Sequence, residues 1–131
     1  MKYMLDTNIC VYIMKHMPHV IGRFQAVFNE GVSISVISLA ELEFGVANSA
    51  AIAKNRAALI SFGTLVRTLP FDRYASAEYG KIRATLQKRG TPIGSLDMLI
   101  GAHAKSAGLT LVTNNTREFG RIDGLDIEDW V

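Results

Sequence analysis

The chain has 131 residues, 49% hydrophobic and 20% charged, a balance that describes one compact domain and excludes two full-size ones. With 14 Lys+Arg against 12 Asp+Glu the net charge is +2, which excludes the strongly cationic surface of a histone-like binder. One cysteine, Cys10, cannot close an internal disulfide, and with the scattered His16, His19 and His103 it forms no zinc-finger spacing, so a reducing, cytoplasmic setting is expected.

In chain order, Tyr3-Met4-Leu5 is a short apolar run closed by Asp6, and reads as a buried strand. Helical spacing follows over Ile9 to Lys15 and Val20 to Phe28, separated by Pro18. After Gly31, the run Val32 to Val36 is a second buried strand, and Leu39 to Ala47 returns to helical spacing. An Ala-rich stretch from Ala50 to Val66 predicts a helix, Val66 to Leu69 a short strand, and Tyr74 to Lys88 and Leu96 to Ser106 two more helices around Gly90 and Pro92. Leu109 to Val112, after Gly108, is the third clear strand, with a last one near Leu125 to Ile127. Strands separated by helices imply right-handed crossovers and an α/β fold: a single domain over 1–131, its mainly parallel sheet flanked by helices on both faces. No apolar run approaches the roughly 18 residues of a membrane span, and Lys2-Tyr3-Met4-Leu5-Asp6 shows no export signal, so no membrane partner is expected.

Parallel strands all end at one edge, where ligands bind, so the polar residues that follow each strand carry the information. Here they are mostly acids. Asp6-Thr7-Asn8 closes the first strand, Glu41 and Glu43 follow the second, Asp97 falls in the first turn of its helix, and Thr113-Asn114-Asn115 with Glu118 follows the third clear strand. Each has an ordinary structural explanation. Asp6 or Asn8 can cap a helix, Ser38-Leu39-Ala40-Glu41 matches a capping box, and Asp97 suits the helix dipole. Together, however, acids gathered at one edge repel one another and raise each other's pKa unless a cation binds. An all-oxygen set of carboxylates, amide and water suits Mg²⁺ or Mn²⁺ rather than zinc, and such an ion activates water for attack on phosphorus. The chemistry expected is phosphodiester hydrolysis.

Met4-Leu5-Asp6-Thr7-Asn8, Ser35-Val36-Ile37-Ser38 with Glu41-Leu42-Glu43-Phe44-Gly45, Gly94-Ser95-Leu96-Asp97, and Leu111-Val112-Thr113-Asn114-Asn115-Thr116-Arg117-Glu118-Phe119 follow in order along the chain. In that order and spacing the sequence resembles the PIN-domain nucleases, and specifically the VapC-type toxins of bacterial toxin–antitoxin pairs. The resemblance implies that Asp6, Glu41 and Asp97 are the catalytic acids, with Asp6 and Asp97 on the metal. A fourth acid is common in such nucleases where this chain has Asn115, and Glu118 is the candidate substitute. Asn8 and Thr113 match polar positions that orient the carboxylates or a water. The resemblance further implies a metal-dependent endoribonuclease that cuts tRNA, the initiator tRNA anticodon stem-loop being the expected target. It also implies products with 5′-phosphate and 3′-hydroxyl ends, a homodimer, and a VapB-type antitoxin whose carboxyl-terminal segment blocks the pocket. An arginine placed among the acids would neutralise the charge that the metal otherwise neutralises.

Lys81, Arg83, Lys88 and Arg89 form the densest basic stretch and, with Arg117, are candidate RNA contacts, against the alternative of a solvated helix face. His103 lies six residues after Asp97 on a different helix face, and reads as a packing or hydrogen-bonded residue rather than a ligand. Tyr12, Phe24, Phe28, Phe44, Phe62, Tyr74 and Tyr79 read as core or subunit interface, and Trp130 as a clamp on the last strand. Two other classes compete. A non-catalytic RNA- or protein-binding module is favoured by Asn115 standing where an acid is common. A phospho-acceptor domain is disfavoured, because no acid follows two residues after Asp6 and no strand ends in lysine.

Overall fold

The computed structural model describes residues 1–131. Strand β1 (Tyr3–Leu5) leads into α1 (Thr7–Met14), α2 (Pro18–Val27) and a 3₁₀ turn at Phe28–Glu30. Then come β2 (Val32–Ser35), α3 (Val36–Ala47), α4 (Ile52–Gly63), β3 (Arg67–Leu69), α5 (Arg73–Arg89) and α6 (Ser95–Ser106). The chain closes with β4 (Thr110–Val112), α7 (Thr116–Phe119) and β5 (Ile127–Glu128). The five strands form one sheet in the order β3-β2-β1-β4-β5, and every neighbouring pair is parallel. No helix is long and apolar enough to cross a membrane.

Strand alternation divides the interior between the two faces of the sheet. Tyr3, Leu5, Val32, Ile34 and Val112 belong to the core shared with α1, α2 and α4, whereas Met4 and Leu111 belong to the core shared with α5, α6 and α7. Trp130 is fully buried on the first side, its ring edge-on to Tyr3 and its indole N–H donating to Glu128 Oε1 at 2.9 Å, so it does secure the last strand. β3 is an edge strand with Arg67 and Thr68 exposed, a charged edge that discourages further pairing.

Several elements depart from the sequence expectation, each for a local reason. Strand β2 stops at Ser35, because Ser35 itself caps α3: its Oγ accepts the Ile37 N–H at 3.1 Å. The capping box expected at Ser38 is therefore not formed. Ser38 sits inside the first turn, buried, with its Oγ unpaired. The last strand lies at Ile127–Glu128, later than expected, and the one-turn helix α7 follows β4 directly. Of the aromatics, Phe24 and Phe62 are core, whereas Phe44 (69% exposed) and Tyr74 (63%) project from the surface and contribute nothing to it.

The antiparallel α5–α6 pair matters for the site. A five-residue connection, Gly90 to Gly94, joins them; Gly90 takes the left-handed conformation (φ 70°) that ends α5, and Thr91 N–H closes back on the Leu86 carbonyl. Lys105 near the end of α6 meets Glu78 near the start of α5 at 3.6 Å, so the C-terminal end of α5 stands beside the N-terminal end of α6.

Candidate active site

A sheet whose strand order reverses opens a crevice at the reversal, beyond the carboxyl ends of the two strands on either side. Here β1 is paired with β2 on one side and β4 on the other, so the crevice lies where β1 ends in Asp6 and β4 ends before Thr113. The backbone stitches these two ends together, Asp6 N–H donating to the Val112 carbonyl at 2.8 Å.

Asp6 is 4% exposed and is held by two donors. Its Oδ1 accepts the Thr7 N–H and its Oδ2 accepts the Thr113 hydroxyl, each at 2.8 Å. The carboxylate thus caps α1 and is oriented from β4 at once. Its pKa is raised, first by burial and further by the charge of Glu41, with the Thr113 and Thr7 hydrogen bonds opposing the rise. Thr113 is fully buried, and its Oγ1 also accepts the Asn115 N–H at 3.0 Å. Thr113, expected to orient a carboxylate or a water, is thus in hydrogen-bond contact with Asp6.

Asp97 is half-buried in the first turn of α6, where the helix dipole favours negative charge. Its Oδ2 leans back over Gly94, so a Cβ added there would stand 3.5 Å away. Its pKa is pushed up to about 6, by burial first and then by the charges of Asp6, Glu118 and Glu41, with a side-chain contact to Glu118 adding to the rise. Every charged neighbour acting on this carboxyl is itself an acid. The fold therefore brings Asp6, Glu41, Asp97 and Glu118, scattered over the sequence, into one another's electrostatic reach.

Two of these acids are tethered by groups that the residue types alone did not single out in these roles. Glu41 Oε1 accepts the Thr7 hydroxyl at 2.5 Å, a contact across 34 residues that no sequence pattern announces. Glu118 Oε2 accepts Asn115 Nδ2 at 3.0 Å, one helical turn away. Asn115, the residue standing where an acid was expected, thus fastens the acid that follows it. Asn8, by contrast, is exposed in the first turn of α1, and Thr7 is the residue of that motif that reaches the carboxylates.

The donor set is all oxygen and lacks any cation, the chemistry of a hard divalent ion. No three His, Cys, Asp or Glu side chains converge tightly enough to form a ready cage.

The basic candidates divide. Arg89 pairs with Asp123 at 2.7 Å, Lys81 approaches Glu78 at 3.9 Å, and Arg83 donates to the Tyr79 hydroxyl at 3.0 Å, all three remaining exposed. Lys88, at the end of α5, and Arg117, in α7, are exposed, and both elements flank the acidic crevice.

On the far side of Glu41 lies a cavity of about 300 Å³ lined by Thr7, Val11, Met14, Glu41 and Ala58, among others. Through Met14 and Ala58 it adjoins a larger apolar groove of about 670 Å³, walled by Ile13, Ile21, Phe24, Phe28, Phe62 and Leu65. Of the four acids, Glu41 alone lines either space.

The PIN domain profile matches residues 3–125. The chain is 44% identical, over 99% of its length and 98% of the relative's, to the tRNA(fMet)-specific endonuclease VapC of Salmonella typhimurium. Its fold is similar to that in the crystal structure of VapBC2 from Rickettsia felis bound to a DNA fragment from their promoter, with a TM-score of 0.96, 38% identity and full coverage of both chains. It is equally similar to DNA-bound VapBC from Salmonella typhimurium, with a TM-score of 0.95, 43% identity, and coverage of 100% of this chain and 99% of that one.

Proposed function

This chain belongs to the PIN domain family, and from that premise we propose that it is a VapC-type toxin: a divalent-metal-dependent endoribonuclease that hydrolyses RNA phosphodiester bonds and is neutralised by a VapB-type antitoxin. The observation that carries the reading is the Asp97 carboxyl, pushed up to about 6 by burial and by three other acids at the reversal of the sheet. Such an arrangement stores unfavourable charge that binding a cation relieves.

In this reading Asp6 and Asp97 bind Mg²⁺ or Mn²⁺, Asp6 being held in place by Thr113 and Thr7. Once bound, the cation supplies charge for the phosphoryl oxygens and lowers the pKa of water. Glu41 keeps one carboxylate oxygen on the Thr7 hydroxyl and offers the other to accept a proton from the attacking water. Glu118, fastened by Asn115, fills the fourth acidic role. Lys88 and Arg117 offset the repulsion between the acidic crevice and an incoming polyanion. The expected substrate is tRNA, the initiator tRNA first, from the 44% identity to an enzyme named for it.

The antitoxin has a path to the same acids. An amphipathic segment filling the apolar groove would run past Met14 and Ala58 to Glu41, where an arginine could neutralise the carboxylates. The toxin is expected in the cytoplasm as a homodimer, with light scattering of the purified protein as the check on the dimer.

The deciding experiment incubates purified, antitoxin-free protein with total bacterial RNA and with initiator tRNA, in Mg²⁺, Mn²⁺ or EDTA, beside an Asp97→Ala control. Metal-dependent cleavage that is lost in the variant is the expected result. A folded protein that cuts nothing with either metal would overturn the reading in favour of a non-catalytic binding module.

A further inference from the structure

His103 is 3% exposed, on a face of α6 that does not present it to the acids, and the mechanism above leaves it without a role. Its surroundings are nonetheless specific. Nδ1 lies 2.7 Å from Ser35 Oγ, the Phe71 ring stands edge-on at 5.4 Å, and the Pro70 carbonyl and the Asp72 carboxylate act on the ring from the loop between β3 and α5. The imidazole therefore sits where β2, β3 and α6 meet, just under the edge that carries the site.

The direction of the Ser35 contact follows from counting protons. Ser35 Oγ already accepts the Ile37 N–H as the cap of α3, and its own proton remains to be donated. Nδ1 of the ring stands within reach of that proton, and as a bare nitrogen it accepts it. A neutral imidazole has one N–H, and with Nδ1 accepting from Ser35 that N–H is on Nε2. Burial lowers the pKa of the ring and favours this neutral form, while the Asp72 charge and the Pro70 carbonyl oppose it.

Ser35 starts the helix that carries Glu41, and His103 lies on the helix that carries Asp97. Each acid is six residues from its end of the link, about 9 Å along its helix. We propose that His103, as the Nε2–H tautomer, is a positioning residue: by accepting the Ser35 hydroxyl proton it locks the start of the Glu41 helix to the Asp97 helix and sets the distance between the two acids. This rests on the nuclease reading above, because it assigns His103 a part in the same site.

The test uses the full-length protein. In the wild type, ¹⁵N chemical shifts of the His103 ring should show Nδ1 unprotonated and Nε2 protonated. His103→Phe keeps a ring in the space but offers no acceptor, and should lower kcat for RNA cleavage about tenfold while KM stays within about twofold. His103→Asn returns an amide oxygen close to the Nδ1 position and should recover most of that loss. Hydrogen exchange at the Ile37 amide should quicken in the Phe variant and slow again in the Asn variant. A proton found on Nδ1, unchanged kcat in the Phe variant, or an Asn variant no better than the Phe variant would each overturn the proposal. If the Phe variant fails to fold, the tautomer and the Asn variant still decide. Wild-type protein that cleaves nothing, with Ile37 exchange responding as described, would locate the failure in the nuclease reading instead, the Ser35 link being intact.

Discussion

Replacing Thr113 by Val tests the link between the sheet and the acidic site without altering the shape of the side chain. The Thr113 hydroxyl donates to Asp6 Oδ2 and accepts the Asn115 N–H, and Thr113 itself is fully buried. Losing a donor to a buried carboxylate costs about 1.5–3 kcal/mol, and orphaning the Asn115 N–H adds about 0.5–1, so the expected loss near neutral pH is about 2–4 kcal/mol. With a urea m-value of about 2 kcal/mol/M, the unfolding midpoint should fall by about 1–2 M. The sign of the pH dependence follows from the carboxyl. The folded-state pKa of Asp6 is raised already, and the Thr113 bond opposes that rise, so removing the bond lifts the pKa further. The penalty is then full while Asp6 is ionised and shrinks as pH falls through its raised pKa, where the lost partner is only a neutral acid. Urea titrations followed by circular dichroism at about pH 7.5 and about pH 4 measure both quantities. An equal loss at the two pH values, or none at either, would refute this account of how Asp6 is held. Cleavage should drop about 10–100-fold in the same variant, as is usual when an outer partner of a metal-binding carboxylate is removed.

Asp97→Asn should abolish cleavage yet stabilise the fold in EDTA. The folded-state pKa of Asp97, about 6, lies above its ordinary 3.8, so the fold is favoured when this group is protonated, and wild-type stability falls as pH rises between these values. After allowance for solvent screening of a half-buried carboxyl, the difference between wild type and variant should grow by roughly 1–2 kcal/mol across that window, read from paired thermal melts. Adding Mg²⁺ or Mn²⁺ at neutral pH should raise the wild-type melting temperature and leave that of Asp97→Asn nearly unchanged; equal shifts would place the ion elsewhere. Asn115→Asp removes the donor that fastens Glu118 and adds a fifth acid to the crevice, so the variant should melt below wild type in EDTA and gain more from the divalent ion. A variant as stable as wild type in EDTA would show that Asn115 does not sit in the shared field.

Local signals made much of the molecule readable in advance. The apolar run Tyr3–Leu5 closed by Asp6 and the glycine-led β2 and β4 each depend on near neighbours, and so did the placing of Asp97 in a first turn. Since parallel strands must end at one edge, those local facts were enough to bring Asp6, Glu41 and Asp97 to one place. Residue type alone likewise indicated oxygen ligands and a divalent ion.

What the sequence left open was settled by contacts between segments far apart in it. The capping box at Ser38 was the pattern the residues offered, and the cap fell instead to Ser35 because β2 ends there. Thr7 reaches Glu41 across 34 residues, Thr113 reaches Asp6 across 107, and His103 reaches Ser35 across 68, and none of these pairings follows from propensity or spacing. A hydrogen bond is directional and short, so its partner is known only when the packing of sheet and helices has fixed both ends to within a fraction of an ångström. Hydrophobic periodicity, which needs only one side of an element, could be read from the chain; the polar network that aims the acids required the folded neighbours.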